Sequence, residues 1–321
     1  MKKLFAIGEV LIDFIPGEAG KGISQVGSFA PKVGGAPGNV CGAFVRLGGD
    51  AAMISQLGKD PFGDKIVEEY KEFGIETQYI ERTEKANTSL AFVALKEDGN
   101  REFSFFRNPG ADMLYDPALL QEDWFKDGYA LHFCSVSLGD FPMKEAHKKA
   151  IEMAKRQGLL ISFDPNLRFN LWSSREALKK AVLEFIPTAD ILKLSDEELE
   201  FITGKTQIEE ALLELFASGV KLVVYTEGSK GARAYTKEAQ AAAPSKKVQA
   251  VDTTGAGDGF IGAFLYQLSG MGLDGANLQQ VSKEQLEKAL AFSNAFCGIS
   301  VQKAGAIASY PTREEVEQFL Q

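Results

Sequence analysis

Apolar positions along the chain switch repeatedly between β-type runs and helical spacing. Leu4–Val10 reads as a buried strand. In VGGAPGNVCGAFVRLGG, Pro37 suits a first helical turn, Val40, Ala43, Phe44 and Leu47 recur at helical spacing, and Gly48 is a stop. Ala51–Leu57 is a second strand. Asp60 and Pro61 then open a helix with an apolar face of Phe62, Ile66, Val67, Tyr70 and Phe73, closed by Gly74. Strand, helix, strand, helix is the rhythm of a parallel sheet with covering helices.

The rhythm breaks at Gln78–Arg107. Two β runs, Thr88–Leu95 and Arg101–Phe106, flank the turn EDGN, which is a hairpin signal. A small antiparallel flap is expected from about 11–32 and 78–110. Phe and Tyr residues exposed on it would mark a substrate lid or a dimer contact. Alternation then resumes. Strands are expected at Tyr129–Cys134, Leu159–Phe163, Asp190–Leu194, Lys221–Thr226 and the β-prone run Lys247–Val251. Helices are expected at Pro142–Gln157, Arg175–Phe185, Asp196–Ile202, Ile208–Ala217, about Gly257–Leu268, Lys283–Val301 and Arg313–Leu320. No repeat or linker interrupts the chain, so residues 1–321 read as one α/β domain carrying the flap.

Composition narrows the function classes. The formal charge of −9 leaves no basic block to neutralise a nucleic-acid backbone. The first apolar run carries Glu9 and Asp13 and never approaches the roughly 20 apolar residues of a membrane span. A cytoplasmic protein with no membrane or nucleic-acid partner is expected. Cys41, Cys134 and Cys297 stand far apart with only His132 and His147 beside them, which is no zinc pattern. All three cysteines are expected to be buried and neutral.

In open α/β sheets ligands gather beyond the C-terminal ends of strands. The unusual polar residues fall there: Asp13 after the first strand, Asp164, Asn166 and Arg168 after another, and Thr226, Gly228 and Gly231 after a third. Last comes DTTGAGDGF (Asp252–Phe260), read as a strand–turn–helix junction with Gly255, Gly257 and Gly259 in five residues. Its helix start offers free N–H groups to an anion. Asp258 lies inside that positive pole, where it either complements the helix dipole or does chemistry. GAGDG has GxGxG spacing, not the GxGxxG of a dinucleotide fold, and no GxxxxGK[ST] loop occurs.

VGGAPGN (Val33–Asn39) and DTTGAGDGF together closely resemble the two signature regions of the ribokinase-like, or PfkB-type, carbohydrate kinases. The resemblance runs from Gly8 to about Pro311. It implies a three-layer α/β/α fold with a mostly parallel central sheet and a small β lid. GEVLIDF (Gly8–Phe14), FFRNPGADMLY (Phe105–Tyr115) and FDPNLRFNLW (Phe163–Trp172) are most similar to fructokinases, though kinases of 2-keto-3-deoxygluconate share parts of them.

The resemblance implies transfer of the ATP γ-phosphoryl to a primary sugar hydroxyl, with Mg²⁺ accompanying the nucleotide. It makes Asp258 the base and the Gly255, Ala256 and Gly257 amides the anion hole. Asp13, Gly34, Gly35, Asn39, Phe105, Arg107 and Arg168 match sugar-side positions. Asn166, Lys193, Thr226, Gly228, Gly231 and Asn294 match nucleotide-side positions. The family's NxxE motif falls on Ser195–Glu198 with Ser in place of Asn, which keeps Glu198 as an indirect Mg²⁺ group; Ser195 suits a helix cap. Asp252, Thr254, Ala304, Gly305 and Ser309 match a K⁺-binding segment. A homodimer through the lid is compatible with its β character. The alternatives are another sugar kinase of the same family, acting on 2-keto-3-deoxygluconate or ribose, and a non-catalytic sugar or nucleotide sensor on this fold.

Overall fold

The computed structural model describes residues 2–18, 20–95 and 101–321. The expected EDGN turn lies outside the described residues. The chain runs through β1 (Lys3–Ile7), β2 (Leu11–Pro16), β3 (Phe29–Gly34), α1 (Ala36–Arg46), β4 (Ala51–Gly58), α2 (Pro61–Phe73) and β5 (Ile80–Thr83). It continues through β6 (Ser89–Leu95), β7 (Arg101–Phe106), β8 (Gly128–Cys134), α3 (Pro142–Arg156), β9 (Leu160–Asp164) and α4 (Arg175–Phe185). Next come β10 (Ile191–Ser195), α5 (Asp196–Thr203), α6 (Leu212–Ala217), β11 (Leu222–Thr226), β12 (Gly231–Tyr235) and β13 (Gln240–Pro244). Three helices finish it: α7 (Ala256–Gly270), α8 (Lys283–Ser300) and α9 (Arg313–Leu320).

The large sheet has nine strands in the order β13-β12-β11-β10-β9-β8-β1-β4-β5. Pairing is parallel from β5 through β11, and antiparallel for β11–β12 and β12–β13. Strand residues alternate between two apolar layers. Leu4 and Ala6 join Val40 and Phe44 of α1, Phe264 of α7 and Leu290 of α8. Phe5 and Ile7 face the other way, with Met143 of α3, Leu178 of α4, Leu199 of α5 and Leu215 of α6. Helices on both faces of one sheet make the three-layer α/β/α sandwich that the sequence implied.

A second sheet has four strands in the order β3-β2-β6-β7. Its Phe14 ring stacks on Phe92 at 4.4 Å and meets Phe62 of α2 edge-on at 5.6 Å, which seats the small sheet on the large body.

Four local expectations change. Lys247–Val251 is not a strand: Val251 leaves the sheet, donates to the Val301 carbonyl at 2.7 Å and is 67% exposed. The last strands are instead the short hairpin β12–β13, whose many alanines give little β signal. Ile80–Thr83, inside the segment expected to form the flap, pairs with β4 at the edge of the large sheet. Asp13 lies within β2 of the small sheet rather than just past the first strand. No helix among the described residues is long and apolar enough to cross a membrane.

Candidate active site

The first turn of α7 begins where the sequence placed it. Gly255 caps the helix with φ of +72°, a left-handed conformation that L side chains resist. A side chain there would also strike Ala306 and the Tyr310 hydroxyl, each 2.8 Å from an added Cβ. Tyr310 Oη donates to the Gly255 carbonyl at 2.7 Å and the Cys297 thiol donates to the Ala256 carbonyl at 3.2 Å, so the turn is fixed from below. The Ala256 amide, expected in the anion hole, already donates to the Thr253 carbonyl at 3.2 Å.

Asp258 sits on that first turn and is buried. Asn39 Nδ2, from the start of α1, donates to Asp258 Oδ2 at 2.8 Å, joining the two glycine-rich segments across the fold. Asn39 is only 6% exposed, with its amide turned to this carboxylate. Asn166 Nδ2 reaches Asp258 Oδ1 at 3.5 Å, with its own backbone held at a positive φ of 43°. Burial raises the proton affinity of Asp258, while Asn39, Arg168 and Lys193 pull it back down.

Beneath this turn lies a buried pair. Lys193 Nζ, on β10, donates to Asp164 Oδ2 at the end of β9 at 2.7 Å, with both side chains less than a tenth exposed. Burial works against the Lys193 charge, but Asp164, Glu198 and Asp258 overcome it and hold the ammonium above the usual lysine range. A Cβ added at Gly257 would lie 3.3 Å from Lys193 Nζ, so the cation sits against the first turn of α7. Glu198 Oε2 accepts from the Ser195 amide at 2.7 Å and Oε1 from the Leu167 amide at 3.4 Å. The Glu198 amide in turn donates to Ser195 Oγ at 3.3 Å, completing a capping box. Glu198 therefore ties the loop after β9 to the start of α5.

On the other side of Asp258 are the small-sheet residues. Asp13 lies against Gly34, where an added Cβ would stand 2.1 Å from its Oδ2. Burial pushes Asp13 up to about 6, opposed by Arg168. Arg168 is exposed at the rim and donates to the Leu167 carbonyl at 3.1 Å. Phe105 is stacked on Phe103 along β7, with ring centroids 5.9 Å apart. Arg107, just past β7, is buried in an ion pair with Asp112 rather than extended into open space, and Ser89 Oγ donates to the same carboxylate.

The remaining expected groups are less concentrated. Thr226 Oγ1 donates to the Leu194 carbonyl at 3.4 Å, and Gly228 and Gly231 follow in the tight β11–β12 turn. Asn294 is buried and donates to the Ala243 carbonyl at 2.8 Å, bracing α8 against β13. Asp252 joins two loops: Oδ1 accepts from the Thr254 amide at 2.9 Å and hydroxyl at 2.7 Å, and Oδ2 from the Gly305 amide at 2.9 Å. Ala304 adjoins Gly305 and is exposed, while the buried Ser309 hydroxyl pairs with Ser300 at 2.8 Å. No group of three or more His, Cys, Asp or Glu side chains arranged to hold a metal occurs among the described residues. Cys41 and Cys134 are buried as expected; Cys297 is partly accessible, but burial still holds its thiol up at about 12. His132 is buried beside Ser162 and held down at about 3 by burial and then by Lys193, so it remains neutral. An open groove of ≈ 970 Å³ between the β12–β13 turn and the start of α8 contains none of these residues.

Sequence reasoning missed Glu9 and Asp112. Glu9 is 2% exposed, accepts from Ser137 Oγ at 3.0 Å, and is pushed up to about 7 by burial. Both lie inside motifs already singled out, GEVLIDF and FFRNPGADMLY, but nothing in their spacing tells a buried carboxylate from an exposed one.

These groups line the C-terminal ends of parallel strands on one side and the base of the small sheet on the other. The chain matches the pfkB family carbohydrate kinase over residues 1–313. It is 43% identical over 316 residues to the probable fructokinase-2 of Arabidopsis thaliana, covering 98% of this chain and 94% of that one. Its structure is similar to fructokinase with bound ATP from Xylella fastidiosa, with a TM-score of 0.89, 33% identity, and 99% and 98% of the two chains covered. It is also similar to a fructokinase double mutant from Vibrio cholerae O395 in fructose, ADP and potassium ion bound form, with a TM-score of 0.87, 33% identity, and 100% and 99% covered. The family match spans nearly the whole chain, and the chain belongs to the pfkB family of carbohydrate kinases.

Proposed function

We propose that this protein is an ATP-dependent fructokinase that transfers the γ-phosphoryl of ATP to the O6 hydroxyl of D-fructose. The observation that carries this reading is the Asn39–Asp258 hydrogen bond, which sets one carboxylate between the sugar-side and phosphate-side groups. The probable fructokinase-2 of A. thaliana and the fructokinase of X. fastidiosa, similar over nearly their full length, support it.

A primary alcohol holds its proton firmly at neutral pH, so a base must take it as the new P–O bond forms. Asn39 occupies Asp258 Oδ2, which leaves Oδ1, with its longer 3.5 Å contact to Asn166, as the oxygen that accepts the proton. The raised proton affinity of Asp258 makes it a stronger base than an exposed aspartate. Charge on the transferring phosphoryl falls against the start of α7. Because the Ala256 amide is engaged with Thr253, the amides of Gly255 and Gly257 carry that service, with the Lys193 ammonium next to them.

Asp13, the Gly34 and Gly35 amides, Asn39, Phe105 and Arg107 bind the sugar, and Arg168 closes the rim. Asn166, Lys193, Thr226, Gly228, Gly231 and Asn294 border the nucleotide. Mg²⁺ travelling with ATP offsets charge on its phosphates. Glu198, whose two oxygens already accept backbone amides, suits contact through water rather than direct ligation. K⁺ near Asp252, Thr254, Ala304, Gly305 and Ser309 would steady the loop leading into α7; the potassium-bound V. cholerae structure and the bridging Asp252 carboxylate support that placement.

The small sheet, with the strands around it, acts as a lid on a single kinase domain in the cytoplasm. Exposed Phe106 (62%), Ile15 (40%) and Phe103 (38%) support a homodimer through it. The test is an ATP-consumption assay over fructose, ribose, glucose, mannose and 2-keto-3-deoxygluconate, with K⁺ or tetramethylammonium as the cation. Fructose leading the panel supports the reading, and no sugar-dependent consumption refutes it.

A further inference from the structure

The sugar end of the cleft holds an imbalance of buried charge around Arg107. Asp112 Oδ2 accepts from both Nε and Nη2 of Arg107, a two-pronged pair with side chains 5% and 0% exposed. The same guanidinium lies over the Phe141 ring at 5.5 Å. A second carboxylate stands within electrostatic reach: Glu9 is drawn down by Arg107 and pushed up by Asp112. The Glu9 backbone carbonyl lies beside Gly35, 2.6 Å from an added Cβ, and its buried carboxylate accepts from Ser137 Oγ at 3.0 Å. Asp13, next to Gly34, adds a third carboxylate to this end of the cleft. Against the three acids stand Arg107, already matched by Asp112, and Arg168 at the exposed rim.

We infer that Glu9 and Asp112 are specificity-determining residues, which neutralise Arg107 and hold the sugar end negative, so that it accepts an uncharged sugar and turns away a sugar acid. Arg107 can still donate a hydrogen bond to a hydroxyl, since a guanidinium has five N–H groups and Asp112 uses two directions of it. It has no uncompensated charge to offer a carboxylate. An acid brought here meets Asp13 and feels the field of the buried Glu9, and like charges in a partly desolvated site cost far more than in water. The inference rests on the sugar-kinase reading and deepens it, because it states why a neutral ketose is preferred to 2-keto-3-deoxygluconate.

The experiment measures kcat/KM for fructose and for 2-keto-3-deoxygluconate at pH 8 in wild type, Glu9→Gln and Asp112→Asn, with melting temperatures for each. The two sugars differ in shape as well as charge, but near-isosteric substitutions keep the side-chain shape while removing the charge. Wild type is expected to favour fructose by about 100-fold or more, and each variant to narrow that ratio by about tenfold, Asp112→Asn most because it frees Arg107. Asp112→Asn breaks a buried pair and can fail to fold. Glu9→Gln keeps the Ser137 hydrogen bond, removes a buried charge and decides the matter alone. A ratio unchanged within about twofold in folded Glu9→Gln, or a wild type that prefers the sugar acid, overturns the inference while leaving the kinase reading intact. A wild type that phosphorylates no sugar removes both.

Discussion

Asn39 Nδ2 lies 2.8 Å from Asp258 Oδ2, so residues 219 positions apart in sequence share one buried hydrogen bond at the junction of α1 and α7. The amide occupies one carboxylate oxygen and turns the other toward the cleft. If orientation is its service, Asn39→Ala should lower kcat by about 10- to 100-fold, the worth of a hydrogen bond to a charged group. ATP KM should stay nearly unchanged. Steady-state kinetics with fructose checks this; a purely fructose-KM effect would show that Asn39 serves the sugar and not the base.

Asp13 belongs to the small sheet while Asp258 belongs to the large body, so the two should fail in different ways. Asp13→Ala is expected to raise fructose KM by about tenfold or more and to leave ATP KM within about twofold. A larger effect on ATP than on fructose would move Asp13 out of the sugar site.

The raised proton affinity of Glu9 makes a stability prediction independent of catalysis. Its folded value of about 7 exceeds the ordinary glutamate value of 4.5, so between those pH values the folded state holds more protons than the unfolded one. Stability contributed at this position is therefore present at low pH and lost as pH rises through about 7. Glu9→Gln should melt above wild type at pH 8, by up to about 3 kcal/mol of unfolding free energy, with the gap shrinking toward pH 5. Thermal unfolding across that range tests it, and a variant less stable at pH 8 than at pH 5, relative to wild type, would contradict it.

Much of the fold was legible because its signals are local. The apolar spacing of Phe62, Ile66 and Tyr70 and the stop at Gly74 place α2, and Arg175–Phe185 and Arg313–Leu320 match their helices end to end. The β12–β13 hairpin was not legible, since GARAY and QAAAP carry few branched or aromatic residues, and a β-prone run beginning three residues later, at Lys247, drew the assignment instead. The candidate site divides in the same way. Gly255 and Asp258 announce themselves at a helix start, but the duties of Asn39, Asp164 and Glu9 depend on partners from distant parts of the chain. Arg107 shows the limit most clearly: it was read as a sugar-side residue, and its ion pair with Asp112 five residues on and its proximity to Glu9 appear only in the fold.

The central claim is that Asp258 takes the proton of the sugar hydroxyl, and Asp258→Asn tests it most directly. The substitution keeps the shape and can still bond to a neighbouring amide, but it cannot act as a base. Turnover of fructose with saturating ATP should fall by about 100-fold or more, with ATP KM changed by no more than about threefold. Turnover within about twofold of wild type would contradict the account.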